Sequence, residues 1–555
     1  MQTQLDKKDI FLIILLSTVF FAVGVSNLGL MNTPTTFWEA SGGETLYLTL
    51  DSNQTISSVY SLIQGHGTLQ YRLFGYQSDD WKLLSVMKET DYYKWKKTSI
   101  DFSTNQLKFE FLGPSVAINE IMLVGEFDNK LSILDIQCDT CSDNSFQNLI
   151  DEQDNLETIP TFLSETYFDE IYFVRTAQEH LEFNEPYENT HPPLGKLLIA
   201  LSISLFGPSP FGWRLMGVLF ATLMIPVIYL FGKFLFHSTL AGILSAYLLV
   251  FEFMHFTMSR IGTVDSFLVF FILVSTLFFY LNYRKMSEEK CAPDNKLVFL
   301  GVLFFSLAVS VKWVALFGFI GQVFLIMILN LKNLLNSKTK LTFNAVFLTP
   351  LRPLVLSVLV GVLIYFASFI PYMLIGHGFS EVLSRQWHMF SYHAGITSSH
   401  PFASAWWSWP FIHRPLWLYS SNLPNGFVST IVVMGNPVIW WVGFPLILLT
   451  LWRGIEDKEL TGLFLGGIYV FQLLPYLLIS RVLFIYHYYM NVPILILTLV
   501  GFLSVAWNKR KTRFLAVGYL IFVPVVFILF YPVISGFPIP LWYRDLLKVF
   551  NNWIF

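Results

Sequence analysis

Residues Tyr167 to Lys196 read YFDEIYFVRTAQEHLEFNEPYENTHPPLGK. The stretch opens with an acidic pair, Asp169-Glu170, at the head of a short amphipathic segment. It closes with His191-Pro192-Pro193-Leu194-Gly195-Lys196, just before apolar sequence resumes. A carboxylate in such a place can take the proton of a hydroxyl. Cations gathered near it suit a phosphate, and arginine brings a planar fork of donors. Candidates recur along the chain: Arg214 after Trp213, Arg260 and Asp265, Lys312-Trp313, and Arg481 ahead of Tyr486-His487-Tyr488. The stretch 372–436 adds Arg385, His388, His393, His400, His413 and Arg414. Each has a plainer reading. Thr166-x-x-Asp169 matches a capping box, and acids at a helix start are ordinary. His191-Pro192-Pro193 suits a stiff loop before a helix. Arg260 and Asp265 can pair with each other, and Arg481 can snorkel to headgroups. The cluster, rather than any single member, points to a site, because ionisable groups near a bilayer are costly.

The elements that must position these residues are membrane spans. Of 555 residues, 54% are hydrophobic and 13% charged, and mean hydropathy is +0.55. That marks a polytopic α-helical membrane protein, and a net charge of −3 gives no sign of a nucleic-acid partner. Apolar runs at 10–30, 211–232, 239–257, 263–283, 297–311, 314–330, 351–371, 437–452, 459–479, 483–505 and 514–532 predict eleven spans. The first reads as an anchor, not a cleaved signal. With the N-terminus cytoplasmic, Lys233, Arg284-Lys285-Lys290, Lys332-Lys338-Lys340, Arg453-Lys458 and residues 508–513 all fall inside, as the positive-inside rule requires. The candidate residues then collect on the outer face. The run Leu194–Phe206 is too short to cross and is expected to lie in the outer interface.

Four parts follow: a first span over 1–31, an extracytoplasmic domain over 32–138, a polar linker over 139–166, and a membrane domain over 167–555. In the second part, alternating runs at 44–50, 68–76, 106–112, 118–124 and 130–136 predict a β-sandwich inserted in the first outer loop. Trp38, Trp81 and Trp95 are expected in the sheet packing ahead of a sugar-binding face. Cys138-x-x-Cys141 suits a small disulfide; a zinc site needs about four ligands and no second pair exists.

An ordered set of motifs resembles a known family. The set comprises Tyr167-Phe168-Asp169-Glu170, Glu188 to Lys196, Phe211-Gly212-Trp213-Arg214-Leu215, Ser259-Arg260-Ile261 through Asp265, Lys312-Trp313, Gly435-Asn436-Pro437 with Trp440-Trp441, and Tyr486-His487-Tyr488-Tyr489. Together they are similar to the dolichyl-phosphate-mannose–protein mannosyltransferases of the GT-C glycosyltransferase superfamily. The stretch His400 to Trp417 is similar to the microbial branch. The match covers about 165–500, and as an ordered set it is highly specific.

The resemblance implies a GT-C fold. It implies a polyprenyl-phosphate-linked sugar donor (mannose on dolichyl or a shorter polyprenyl phosphate) and the Ser or Thr hydroxyls of an exported protein as acceptor. Asp169 matches the family's catalytic acid position, with Glu170 its companion, and Arg214 matches the arginine after the first-loop motif. On charge grounds, Arg214, His191 and Lys196 are expected at the donor phosphate. Asp265, Arg260, Lys312, Arg481 and His487 are expected around the substrates. No general acid is required, since a phosphodiester is already a good leaving group; no cofactor is expected and no metal is needed for charge balance, although the His and carboxylate clusters leave a metal open. Two departures stand out: 372–436 is too short for the β-trefoil insert of eukaryotic members, and the sandwich precedes the acidic pair. A GT-C enzyme with a lipid or glycan acceptor is the first rival. A membrane transporter is the second, although no internal repeat is visible and the charges sit at one face.

Overall fold

The computed structural model describes residues 5–65, 67–337 and 340–555. Helix α1 (Lys7–Val25) is closed at its start by a reciprocal pair: Asp9 N–H donates to Asp6 (2.8 Å) and Asp6 N–H to Asp9 (2.9 Å). At its other end the last carbonyls need donors, as every helix terminus does. Arg260 supplies them, to Gly24 (2.6 Å), Ser26 (2.6 Å) and Asn27 (2.7 Å).

Eight strands follow: β1 (Trp38–Ala40), β2 (Thr45–Gly65), β3 (Leu69–Gln77), β4 (Asp80–Glu89), β5 (Lys94–Phe111), β6 (Val116–Gly125), β7 (Lys130–Leu131) and β8 (Ile133–Cys138). All five expected runs are strand. Where a sandwich of separate sheets was expected, hydrogen bonds join all eight strands in one antiparallel sheet with the path β1-β6-β2-β5-β3-β4. The reason is the length of β2. It pairs β8 along Leu46–Leu50 and β6 along Ile56–Gly65, with register shifts between. Such irregularities bend a strand and let it serve two layers.

Strand β6 is buried along its whole length. Ile121 and Leu123 pack into the sheet's own core, while Met122 and Val124 pack against the helices. Both faces are therefore apolar, as a strand covered on two sides requires. Trp38 lies in the sheet core and Trp95 at the junction with the helices, both buried. Trp81 packs on Tyr47 and Tyr76. Cys138 and Cys141 form a disulfide.

The remaining helices are α2 (Glu170–Leu181), α3 (Leu194–Phe206), α4 (Pro210–Phe236), α5 (Thr239–Val250), α6 (Phe253–Ser259), α7 (Asp265–Glu289), α8 (Asn295–Val309), α9 (Ala315–Asn336), α10 (Thr349–Ala367), α11 (Ile370–Leu374), α12 (Phe379–Gly395), α13 (Pro437–Glu456), α14 (Leu460–Leu473), α15 (Val492–Asn508), α16 (Arg513–Ser535) and α17 (Leu541–Leu546). A hairpin of β9 (Leu416–Leu423) and β10 (Phe427–Val433) is joined by the short β11 (Ile539–Pro540).

Nine helices among the described residues are long and apolar enough to cross a membrane, and the bent pair α5–α6 makes ten. All eleven expected runs lie on helices; the eleventh is α8, apolar but only 15 residues long. Of the expected basic loops, Lys338 lies outside the described residues. Helix α3, at 13 residues, reaches about 20 Å at 1.5 Å per residue and cannot span.

The 58° bend between α5 and α6 has an identifiable cause. Glu252, fully buried, caps α6 through His255 N–H (2.6 Å) and also accepts from Asn436 N–H (3.2 Å) and Trp440 Nε1 (3.0 Å). The Gly435-Asn436-Pro437 and Trp440 motif thus fixes where α13 begins, with Asn436 as its cap (3.0 Å to Val438 N–H).

Candidate active site

The sheet domain delivers the acidic pair. The turn between β4 and β5 grips the chain just before it: Thr166 N–H donates to Tyr93 O (2.9 Å), Thr166 Oγ1 to Tyr92 O (2.6 Å), and Trp95 N–H to Glu165 Oε2 (3.0 Å). Tyr93 packs edge-on against Trp213 at 5.4 Å. Phe168 then takes a left-handed conformation, with φ 51°. That is uncommon for a bulky residue and persists only where its surroundings over-determine it. The chain then enters α2, on which successive side chains point in different directions.

Asp169 sits at the cap position of α2, yet its side chain caps nothing. The Thr166 hydroxyl is spent on Tyr92, so the capping box is not formed. The half-buried Asp169 carboxylate instead lines a cavity of about 980 Å³. Burial pushes its pKa up to about 7; the Lys312 charge opposes the shift, and Asp265 and Glu188 add to it.

Glu170 points the other way, into full burial. It receives Arg214 Nε (2.7 Å) and a second Arg214 nitrogen (2.8 Å), with the N–H groups of Gly262 (2.7 Å) and Tyr167 (3.1 Å). Arg214 spends its remaining donors on the carbonyls of Leu28 (2.9 Å), Phe162 (2.8 Å) and Glu165 (2.8 Å). It is 0% exposed. The expectation that Arg214 binds the donor phosphate is therefore corrected: its five donors are saturated and none reaches the cavity. Glu170 is corrected with it, from catalytic companion to internal counter-ion. Arg260, expected near the substrates, is the cap of α1 for the same reason.

Lys196 needs the same correction. Its ammonium makes three bonds, to Glu188 Oε2 (2.6 Å), Glu188 O (2.9 Å) and His191 O (2.8 Å), and it is 2% exposed. Its role is to fold the loop that carries His191. The other oxygen of Glu188 meets His191 Nδ1 (3.0 Å) and Thr190 N–H (2.9 Å). Burial favours a protonated Glu188, but Lys196 and His191 outweigh it and hold its carboxyl well below the usual range. His191 lines the cavity, and burial lowers its pKa despite the neighbouring Glu188.

His393 of α12 stands 4.8 Å from His191, ring to ring, and donates its Nε2–H to Thr190 O (2.9 Å). Burial lowers its pKa to about 4. His393 was among the candidates and Glu188 opened a quoted motif, but neither was given a role from the sequence. The signal was present, since Glu188 opens the motif that ends at Lys196.

The opposite wall comes from four elements. Asp265 at the start of α7 pairs with Lys312 (2.8 Å), and Lys312 also lies over the Tyr486 ring (5.6 Å). His487 is fixed by Phe484 O (2.9 Å) and stacked on Trp409 (5.9 Å). Arg481 lines the cavity too, and among the described residues its guanidinium has no hydrogen bond or ion pair. The cavity thus holds five of the expected site residues besides Asp169: His191, Asp265, Lys312, Arg481 and His487. Apolar side chains such as Phe173, Leu268 and Phe317 complete it.

This architecture is a bundle of membrane-length helices around a cavity lined by carboxylates, cations and histidines. The S. cerevisiae protein O-mannosyltransferase Pmt1-Pmt2 complex bound to the sugar donor shares the fold, with a TM-score of 0.61 and 13% identity over 70% of this chain and 89% of that one. Residues 209–375 match the family model described as dolichyl-phosphate-mannose-protein mannosyltransferase, and 378–553 match that of the C-terminal four-helix membrane region of protein-O-mannosyltransferase. Together these span more than half of the chain, which belongs to the protein O-mannosyltransferase family. Its relatives include the polyprenol-phosphate-mannose–protein mannosyltransferases of Corynebacterium glutamicum (26% identical, over 65% of this chain and 81% of that one) and Mycolicibacterium smegmatis (24%, over 68% and 86%).

Proposed function

We propose that this protein moves mannose from a polyprenyl phosphate to Ser or Thr hydroxyls of exported proteins. The observation that carries the mechanism is the pairing, in one cavity, of an uncommitted carboxylate, Asp169, with an uncommitted guanidinium, Arg481. Asp169 takes the acceptor hydroxyl proton as that oxygen attacks the anomeric carbon. The bond from that carbon to the phosphate oxygen breaks on the opposite face, its electron pair leaves with the phosphate, and the configuration inverts. Arg481 replaces Arg214 and Lys196 as the principal phosphate ligand, with His487 and Lys312 beside it. Such donors act by meeting charge that grows as the bond breaks. His191 and Asp265 orient the acceptor and the sugar.

The basic stretches at Lys233, Arg284 to Lys290, Arg453-Lys458 and 508–513 support an N-terminus on the cytoplasmic side. The sheet domain and the cavity then face outward, where exported chains and the lipid carrier meet.

The test supplies purified enzyme in nanodiscs with radiolabelled polyprenyl-phosphate-mannose, an acceptor peptide and a glycolipid fraction. Label is expected on peptide Ser or Thr with inverted anomeric configuration. Label confined to the lipid fraction, or retained configuration, would overturn the reading.

A further inference from the structure

A second group of oxygen donors lies in the sheet domain. Glu120 on β6 and the consecutive Asp151 and Glu152 bring one carboxylate oxygen each within 4.8 Å of one another. Acidic residues alone are common on surfaces, but this group contains one fully buried carboxylate with an oxygen that has no donor. Glu120 is 0% exposed; one of its oxygens accepts from Gln153 Nε2 (2.6 Å) and the other, Oε2, has no partner. Asn119, also 0% exposed, spends its Nδ2 on Thr36 O (2.9 Å) and leaves Oδ1 unpartnered.

Thr36 ties the group together. Its hydroxyl lies 2.9 Å from both Asp151 Oδ1 and Glu152 Oε2, and its N–H is 3.0 Å from Glu152 Oε2. The Lys130 ammonium is nearby, but it donates to the carbonyl of Gln153 and forms no ion pair with the three acids among the described residues. Burying a carboxylate oxygen with no donor is costly, and two more carboxylates beside it add repulsion. One divalent cation would relieve all three.

We propose that Glu120, Asp151 and Glu152 hold a calcium ion that fastens the linker to the sheet domain. The donors are all oxygen, which suits a hard cation over zinc or copper. Calcium takes 6–8 oxygens at about 2.3–2.6 Å in flexible geometry, so carboxylates on a strand and a turn can share it with waters. Magnesium demands a stricter octahedron and keeps its waters. The ion would join three stretches far apart in sequence: Thr35-Thr36, β6 and the turn at 151–153. That turn leads through the linker to Glu165 and Thr166, so the ion stiffens the segment that presents Asp169.

The experiment uses the full chain in nanodiscs, stripped with EGTA and then titrated with calcium chloride or magnesium chloride. Equilibrium dialysis with radioactive calcium is expected to give one ion per chain, and the apparent melting temperature is expected to rise by several degrees with calcium and less with magnesium. Glu120→Gln should abolish both effects. Because a change at that buried position can disturb folding, Asp151→Asn at the exposed corner of the cluster provides a second variant, expected to weaken calcium binding at least tenfold. No stoichiometric binding at millimolar calcium, or an unchanged calcium response in both variants, would overturn the proposal. So would a Glu120→Gln protein that melts higher than wild type with no calcium dependence, because that identifies a buried protonated acid.

Discussion

Asp169 and Glu170 are adjacent in the chain and belong to different parts of the molecule. Glu170 faces the interior, where Arg214 spends every donor on carbonyls and carboxylate; elsewhere Lys196 is likewise saturated, and Arg260 is committed to the carbonyls at the end of α1. Asp169 faces the cavity, where its own carboxylate and Arg481 are uncommitted. The contrast teaches that saturation separates scaffold from machinery. A buried arginine with five partners cannot rearrange around a substrate without leaving a buried acid unpaired. A guanidinium with none can close on a phosphate at little cost.

The contrast breaks or sharpens at five points. Asp169→Asn should lower kcat by about 10²- to 10⁴-fold, the range a positioned general base supplies. Its thermal stability should not fall. A carboxyl raised to about 7 in the fold costs stability as pH rises from about 4 to 7, and the amide removes that cost. Loss of activity together with loss of folding would move Asp169 into the scaffold. Arg214→Ala should do the reverse, destabilising the protein by about 3–5 kcal/mol because Glu170 is left buried and unpaired. A well-folded Arg214→Ala enzyme with only a weakened donor KM would restore Arg214 to the phosphate.

Arg481→Ala should raise donor KM about 10- to 100-fold, as loss of one charge-assisted contact predicts, with melting unchanged. The pH profile is a gentler probe. The working form of Asp169 is deprotonated, so kcat/KM should climb up to about tenfold per unit below pH 7 and level off above it. A flat profile between pH 5 and 8 would mean that this carboxylate does not titrate in catalysis. The smallest effect belongs to the grip of the sheet domain. Tyr93→Phe deletes a 2.7 Å bond to Pro34 O and should cost about 1 kcal/mol of stability with kcat nearly intact.

Much of the fold was legible. Span length and loop charge depend on local composition, so all eleven runs lie on helices, and the five alternating runs fall on six strands of the sheet domain. Strands β1 and β4, the first half of β5 and the full length of β2 were missed. Both faces of β2 become apolar where it meets the helices, and alternation in polarity disappears there. In the site, Asp169, His191, Asp265, Lys312, Arg481 and His487 were placed together as expected. Arg214, Arg260, Lys196 and Glu170 were misjudged because charge type says nothing about whether a partner already exists. Glu188 and His393 were seen but given no role, because one sits in a motif read for its prolines and the other among many histidines.

By itself the sequence determined that the chain crosses a membrane many times, that a strand-rich unit precedes the acidic pair, and which family its ordered motifs resemble. The first two follow from composition and spacing, which act over tens of residues, and the third rests on the resemblance of the motifs. Only the tertiary structure decided which charges are spent and which are free. That depends on carbonyls brought from as far away as Leu28 to meet Arg214, 186 residues on. It also depends on how α2 is set down, with Asp169 toward the cavity and its neighbour Glu170 toward Arg214.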